Sequence, residues 1–249
     1  MEIKGRFGSH TDIGLVRKSN EDKALSLMDS QHNVLLCVCD GMGGYMKGDF
    51  ASKIAVDVIN AAFKSHIKWI FDFQVKMWIS KVVKSINYSV FSESQDSEKF
   101  AGMGTTLCMA IFFKNKIFVV NVGDSRAYRL ESEEIVQLTK DQTYVQYMLN
   151  KGEIDEQEKL TSKDRHALMN FIGHSKDVNY TLDIMKNESK TILLCSDGLY
   201  NNATDKQIFS ALDSSERLDQ KINTLIGIAN ANGGSDNIAI SMWEPYKHD

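Results

Sequence analysis

The chain shows two kinds of hydrophobic pattern, and the first is a series of short apolar runs. Nearly unbroken runs occur at residues 34–39, 106–113, 117–122, 191–195 and 237–243, and a more mixed run at 180–185. Such short runs, rich in β-branched residues, predict strands that are largely covered on both faces. Asn115 and Lys116 separate two of the runs and predict a hairpin turn, and hence antiparallel pairing.

The second pattern is an apolar position every three or four residues, which is the period of an amphipathic helix. It predicts one helix over residues 50–67 and another from about Val75 to Val90, where a polar stretch at 92–99 breaks the repeat. Both helices are long enough to cover a sheet. They follow the first strand and precede the central group of strands.

Further helices are predicted in the last third of the chain, from about Asp205 and from about Glu216. Thr204 and Gln207 form the pattern of a capping box at the start of the first of them. The order of the predicted elements favours an α+β layered sandwich over alternating βαβ units. The order is strands, two helices, more strands, further helices and a closing strand.

Residues 139–175 are polar, mixed and only weakly helical, at 145–151 and again at 165–171, which predicts a covering flap subdomain. The chain has a single proline, Pro245, and no repeat or low-complexity linker. We therefore expect one domain over residues 1–249, with the flap inserted at about 139–175.

Composition narrows the classes of function. The chain has 249 residues, 43% of them apolar, enough for one large core, and its net charge is -4. A nucleic-acid or anionic membrane partner usually requires a basic field, so neither is expected. The N-terminal residues form no apolar leader and no later run is long enough to cross a membrane, which predicts a cytoplasmic protein.

The four cysteines, Cys37, Cys39, Cys108 and Cys195, all lie within apolar, strand-like runs. Cys37 and Cys39 share one strand face, but no neighbouring cysteine or histidine completes a zinc-type ligand set. We expect all four to be reduced thiols packed in the core.

Four of the predicted strands carry an aspartate at or just beyond one end. The four are Asp40, Asp124, Asp197 and Asp236. Each alone is compatible with a turn or capping residue, because Asp-Gly is a common turn dipeptide. Four carboxylates in one cleft would repel each other, and they would need arginines, protons or metal ions for balance. Carboxylate oxygens suit Mg²⁺ or Mn²⁺, and no histidine or cysteine cluster competes for a softer ion.

A two-metal centre would suit hydrolysis of a phosphate monoester. Two ions roughly 3.5–4 Å apart can share a bridging water and present it as hydroxide for in-line attack on phosphorus. Arg17, in the segment TDIGLVRKSNED, is the candidate to grip the substrate phosphate, although Arg17 and Lys18 alone are also compatible with an exposed basic pair. Glu21 and Asp22 follow as possible further ligands, or as an ordinary acidic surface pair.

Together these segments resemble the protein phosphatase 2C family, and especially its bacterial branch. In chain order the sequence contains TDIGLVRKSNED, DGMGG, MGTT, VGDSRAY, LTKDQT, SDGL and GGSDN. The resemblance covers nearly the whole chain. It implies a four-layer αββα sandwich in which two antiparallel sheets pack face to face between helical layers.

The same resemblance implies roles for individual residues. Asp40 would bridge two Mn²⁺ or Mg²⁺ ions, the carbonyl of Gly41 would bind one of them, and Asp197 and Asp236 would complete the other. Arg17 would hold the phosphate, and Glu21 would assist the metal shell. A third, weaker ion would be bound by Asp124 with Asp197.

Several positions depart from the family pattern. Met42 replaces a histidine that eukaryotic members often use as a proposed proton donor, so the donor is unassigned; His10 is a weaker alternative. Gln142 and Thr143 stand where histidine and serine are common. The segment SKDRHALMNFIG keeps Arg165 but lacks the usual histidine-proline pair. These flap differences bear on substrate choice.

The sequence thus predicts a monomeric, metal-dependent phosphatase that removes phosphate from serine and threonine of phosphoproteins. It would oppose a bacterial kinase of eukaryotic type, and that kinase or its targets would be the partners. One alternative is a non-catalytic module that docks phosphoproteins, but no metal ligand has been lost. The other is attack on nucleic-acid phosphodiesters, for which the basic surface is missing.

Overall fold

The structure is a computed structural model, and it describes residues 4–43, 47–96 and 98–246. Within these ranges the strands are β1 Gly5–Asp12, β2 Lys23–Met28, β3 Val34–Cys39, β4 Gly41–Met42, β5 Gly104–Thr105, β6 Leu107–Phe113, β7 Lys116–Val122, β8 Arg126–Leu130, β9 Ile135–Gln137, β10 Thr181–Lys186, β11 Ile192–Cys195 and β12 Ile238–Pro245. The α-helices are α1 Lys47–Ser65, α2 Asp72–Asp96, α3 Tyr144–Asn150, α4 Glu156–Thr161, α5 Asp197–Tyr200, α6 Asp205–Asp213 and α7 Leu218–Ala231.

Ten of the strands form two five-stranded antiparallel sheets. Sheet A has the order β1-β12-β11-β8-β9, and sheet B has the order β10-β7-β6-β3-β2. The remaining two strands, β4 and β5, form a short ribbon of their own. Strands distant in sequence are therefore neighbours, and β12 lies between β1 and β11.

The two faces of β3 show how the layers are packed. Leu35, Cys37 and Cys39 contribute to the core between sheet B and helices α1 and α2. Val34, Leu36 and Val38 contribute instead to the core between the two sheets. Because alternate residues of a strand point to opposite faces, an unbroken apolar run is what a strand buried on both faces requires.

A third apolar layer lies between sheet A and helices α5, α6 and α7. Leu199, Ile208 and Leu225 from these helices pack there with Leu193 and Ile240 from β11 and β12. Helix, sheet, sheet and helix therefore form four layers with three apolar interfaces. The predicted αββα sandwich is confirmed.

The predicted helix cap and the predicted state of the cysteines are also confirmed. Thr204 and Gln207 form a reciprocal capping box at the start of α6. All four cysteines are free and buried, and the sulfur atoms of Cys37 and Cys39 lie 3.7 Å apart on one face of β3. Within the described ranges, no helix is both long enough and apolar enough to cross a membrane.

The hairpin between β6 and β7 differs from its prediction by one residue. Phe113 pairs with Lys116, so the turn consists of Lys114 and Asn115 rather than Asn115 and Lys116. Lys114 has a φ of 54°, a left-handed conformation that the two-residue connection imposes on it.

The predicted helix at 165–171 is wrong. The helix of this region is α4, whose N-cap Asp155 and third residue Glu158 form a capping box. None of its residues is buried, so it lacks the apolar stripe on which the prediction relied. Helix α2 also extends to Asp96, beyond the predicted break, and strands β1 and β2 were not predicted.

One ion pair lies inside the layer under sheet A. Lys221 on α7 and Glu244 on β12 are 2% and 8% exposed. The Lys221 Nζ donates to Glu244 Oε2 at 3.1 Å and to the carbonyl oxygen of Leu212 at 2.7 Å. A buried pair of this kind contributes little net stability, but removal of one partner leaves a charge that nothing offsets.

We expect Lys221→Met to lower the free energy of unfolding by about 3 kcal/mol, because Glu244 then stays buried without its cation. The double variant Lys221→Met/Glu244→Leu should recover most of the loss. Urea denaturation of both proteins measures this. Lys206→Met, at an exposed position of α6, serves as the control; a loss in the double variant as large as in the single one would contradict the argument.

Candidate active site

The four strand-end aspartates meet because of how the strands run. In sheet B, β3 and β7 are both antiparallel to β6 between them, so they run in the same direction and both end at one edge. Asp40 follows β3 and Asp124 follows β7 after Gly123. In sheet A, β11 and β12 are antiparallel, so the end of β11 and the start of β12 share an edge. Asp197 and Asp236 lie there.

An open cavity of about 820 Å³ lies at this edge of the sandwich. All seven residues singled out from the sequence line it: Arg17, Glu21, Asp40, Gly41, Asp124, Asp197 and Asp236. Met42 lines it as well. His10 lies on β1, paired with Ile240, and is not among the lining residues. The structure therefore gives the alternative of His10 as a proton donor no support.

Two threonines fix the backbone of Asp40. Its N–H donates to Thr106 Oγ1 at 2.9 Å, and its carbonyl oxygen accepts from Thr106 N at 2.9 Å and from Thr105 Oγ1 at 3.0 Å. The Thr106 hydroxyl in turn lies 2.7 Å from that of Ser125. Asp40, at the start of DGMGG, is thus hydrogen-bonded to both threonines of MGTT.

Asn237, which the sequence analysis did not single out, connects the loop of Arg17 to the end of sheet A. Its side-chain Oδ1 accepts from Glu21 N at 2.8 Å, and its Nδ2 donates to the carbonyl oxygens of Ile13 and Ser19 at 2.8 and 2.9 Å. Its backbone N–H donates to Asp236 Oδ1 at 2.8 Å. One buried amide therefore orders both acidic segments.

Two glycines allow the close approach of the backbone at the site. A Cβ on Gly198 would lie 1.9 Å from the carbonyl oxygen of Asn237, and one on Gly41 would lie 2.2 Å from that of Gly48. Real Cβ atoms do not come so close to backbone. The glycine after Asp40 and the one after Asp197 are thus packing requirements.

Asp22, which the sequence analysis named as a possible further ligand or part of an acidic surface pair, is buried at the site. It is 2% exposed, and its Oδ2 is buried without a hydrogen-bond partner in the part of the chain that the structure describes. Burial raises the pKa of Asp22 to about 7 against an opposing hydrogen bond from Ser196, and the charges of Asp197 and Asp236 add to the rise.

Burial and repulsion also act on the other carboxyl groups. Burial raises the pKa of Asp40 well above its usual range, and the charges of Asp22 and Asp197 reinforce the effect. Burial and the Asp197 charge together raise the pKa of Asp124 to about 7. The ionised carboxylates are therefore costly without positive charge among them.

Arg17 supplies only part of the positive charge that the carboxylates need. Its guanidinium Nη2 contacts Asp236 Oδ2 at 2.6 Å, and its side chain is 54% exposed. Divalent cations that prefer oxygen ligands fit this site. It offers the buried Asp22 Oδ2, which has no hydrogen-bond partner in the described part of the chain, and carboxylates from four strand ends.

His166, from the segment between β9 and β10, is a further site residue that was not predicted. Its Nδ1 lies 3.4 Å from Asp197 Oδ2, and its Nε2 accepts from Arg165 Nε at 2.8 Å. Asp124, His166 and Asp197 each offer a ligand atom, and these three atoms lie within 4.8 Å of one another. Arg165 and His166 lie in the flap segment whose sequence departs from the family pattern. His166 does not stand at the end of a predicted strand, so the strand pattern gave no signal for it.

Comparison with known proteins agrees with this geometry. A family model described as protein phosphatase 2C matches residues 12–239. The serine/threonine phosphatase Stp of Listeria monocytogenes is 33% identical over 235 residues, which covers 94% of this chain and 93% of that protein. The crystal structure of the serine/threonine phosphatase Stp1 from Staphylococcus aureus superposes with a TM-score of 0.92 at 30% identity, covering 99% and 98% of the two chains.

A third similar protein is the catalytic domain of the serine/threonine phosphatase PstP, in a structure that contains two manganese ions. It has a TM-score of 0.83 at 30% identity and covers 97% of this chain and 98% of that one. The chain belongs to the protein phosphatase 2C family. The predicted family and the enzyme class, protein serine/threonine phosphatase, are confirmed.

We expect Asp22→Asn to stabilise the protein in the presence of a chelator, by about 2 kcal/mol, because the amide keeps the shape of the carboxyl group without its buried charge. Added Mn²⁺ should then stabilise this variant less than the wild type. Thermal unfolding in EDTA and in Mn²⁺ measures both effects. Asp183→Asn, at an exposed position of β10, is the matched control. A lower stability of Asp22→Asn in EDTA would refute the repulsion among these carboxyl groups.

Proposed function

We propose that this chain hydrolyses phosphoserine and phosphothreonine in proteins at the cavity at the edge of the two sheets. The observation that carries the proposal is the gathering of Asp40, Asp124, Asp197 and Asp236 around one cavity that Arg17 also lines. The buried Asp22 lies within the reach of the charges of Asp197 and Asp236. Hydrolysis of phosphate monoesters is among the slowest uncatalysed reactions, so it needs a site with dense, fixed charge.

Two catalytic ions, Mn²⁺ or Mg²⁺, fit the acidic donors. Asp40 would be shared by both, with the carbonyl of Gly41 on one ion and Asp197 and Asp236 on the other; Glu21 would assist. When bound, such ions stabilise the charge of the phosphoryl transition state and lower the pKa of water. The two manganese ions in the PstP structure support a site for two such ions.

Arg17 would bind the phosphoryl group of the substrate. Its planar guanidinium carries several donors that can grip two phosphate oxygens at once. The loop that carries it is fixed at Ile13 and Ser19 by the Asn237 amide. Because Arg17 is half exposed while the carboxylates lie deeper, a phosphate on Arg17 would face them from the solvent side.

Residues 139–175 would serve as a flap over one side of a single domain that spans residues 1–249. Arg165, His166, Leu168 and Phe171 from this segment line the cavity. The isolated bridge between Thr105 and Ile172 attaches the end of the segment to the β5 strand. Variation in the flap would therefore change the residues that meet the substrate without altering the carboxylates.

The substrates would be phosphoproteins made by a serine/threonine kinase, since that reaction class supplies phosphoserine and phosphothreonine. This kinase would be a bacterial one of eukaryotic type, and the phosphatase would act as a monomer in the cytoplasm.

We expect Asp40→Asn and Asp236→Asn each to lower Mn²⁺-dependent release of phosphate from a phosphothreonine peptide by at least about a thousandfold, because each removes a charge aimed at the reacting group. Circular dichroism should show both variants folded. Asp183→Asn should retain wild-type activity.

The proposal fails if the folded wild type binds Mn²⁺ but releases no phosphate from the peptide. It also fails if single-stranded DNA is cleaved faster than the phosphopeptide is hydrolysed. If Asp40→Asn turns over substrate as fast as the wild type, the two-metal assignment is contradicted but the phosphatase activity is not.

His166 would add a nitrogen ligand to the third, weaker ion at Asp124 and Asp197. We expect His166→Ala to lose the weakest Mn²⁺-binding event in isothermal titration calorimetry and to retain the two stronger ones, because Asp40 and Asp236 are unchanged. His174→Ala, a change of another histidine in the same segment, should keep all events. An unchanged titration of His166→Ala would show that His166 binds no metal.

A further inference from the structure

A second concave surface lies on the helical layer over sheet B. It is a groove of about 600 Å³ between the end of α1, the connection to α2 and the first half of α2. Its lining includes Ala62, Ile67, Phe73, Met77, Trp78 and Lys81. None of the groove residues lines the active-site cavity. We call it the α1–α2 groove.

The α1–α2 groove and its border expose large apolar side chains. Ile67 is 86% exposed, Met77 66%, Phe71 57% and Phe73 56%. The Phe71 and Phe73 rings stack on each other with centroids 5.8 Å apart. Single exposed apolar residues are ordinary, but a cluster of them beside a groove is typical of an interaction site.

The connection between the helices is held in place rather than loosely packed. The His66 ring contacts Asp29 Oδ2 through Nε2 at 2.8 Å and stacks on Trp69 with centroids 3.9 Å apart. Gln74 Oε1 accepts from the N–H groups of Ile70 and Phe71 at 2.6 and 2.9 Å. The groove is therefore preformed, and a ligand would not bear the cost of ordering it.

The charge around the groove is opposite to that of the chain. Between Val58 and Ile86 the sequence has five lysines and a single acidic residue, Asp72, in a chain with a net charge of -4. Asp72 is itself paired with Lys116. The five are all exposed: Lys64, Lys68, Lys76, Lys81 and Lys84. The groove is thus an apolar surface within a local positive field.

We propose that the α1–α2 groove docks an acidic amphipathic helix of a protein partner. The apolar face of such a helix would fill the concavity, where the flexible Met77 side chain can adapt to it. Its acidic face would meet the exposed lysines, which favour an anionic partner through steering and orientation. A flat membrane surface would contact protruding residues such as Ile67 but leave the concavity unfilled.

Docking at this groove leaves the active-site cavity open, because the two surfaces share no residue. A protein that bound its helix here would hold its own phosphorylated segments at a raised effective concentration near the carboxylates. The groove would then select among phosphoproteins without altering the chemistry.

A synthetic peptide of about five helical turns, with leucines on one face and glutamates on the other, tests the proposal. Trp69 and Trp78 line the groove, so intrinsic fluorescence reports its occupancy. We expect a saturable change with the wild type. Both Met77→Glu and the double charge reversal Lys81→Glu/Lys84→Glu should weaken the dissociation constant by at least about tenfold.

Ile184→Glu, an apolar-to-acidic change on β10 outside the groove, should bind as the wild type does, and a peptide with lysines in place of glutamates should not bind. Lys81 and Lys84 are exposed, so their double variant is expected to fold even if Met77→Glu does not; circular dichroism checks this. The proposal is overturned if the acidic peptide gives no saturable change or binds the lysine variant equally well. Co-sedimentation with phosphatidylglycerol vesicles without peptide binding would overturn it in favour of a membrane.

Discussion

Repulsion among carboxyl groups at one edge of the sandwich is the constraint that the surrounding structure must overcome. Burial and neighbouring charge raise the pKa of Asp22, Asp40 and Asp124, so the folded chain holds these groups in an unfavourable setting. Three apolar interfaces supply the opposing stability, and the side chains of Thr106 and Asn237 fix the backbone by accepting hydrogen bonds from it. The site is thus strained electrostatically but rigid in position, which is what charge-stabilising catalysis requires.

Under the roles proposed above, the molecule separates the chemistry of the site from the recognition of its substrates. Strand ends carry the aspartates, while the segment between β9 and β10 brings Arg165 and His166 to the cavity. The α1–α2 groove lies on the outer helical layer and shares no residue with either. On these proposals, changes in the flap or in the groove would alter which protein is bound while the carboxylates and their supports stay as they are.

The amino-acid sequence revealed the parts of the site that stand beside strongly apolar strands. Asp40 and Asp197 follow runs that are buried on both faces, so their positions were predictable from local pattern. Asp22 also stands at a strand end, but β2 reads KALSLM and has no fully buried residue. Its strand was therefore not predicted, and Asp22 was named only as a possible further ligand. His166 reaches the site through the path of an irregular segment, and α4 forms through its caps without an apolar stripe. The positions of His166 and α4 depend on tertiary context, which the local periodicity of the sequence does not contain.

The pairing of β1 with β12 has a consequence for how the protein is made. These strands pair antiparallel along their whole length, from Gly5 opposite Pro245 to Asp12 opposite Ile238, and β12 lies between β1 and β11. A chain emerging from the ribosome therefore keeps β1 without its partner until nearly all the other strands and helices have been synthesised. Asp236 and Asn237 arrive with that last strand. The nascent chain consequently cannot assemble its active site early, and activity begins only when synthesis has reached the closing strand.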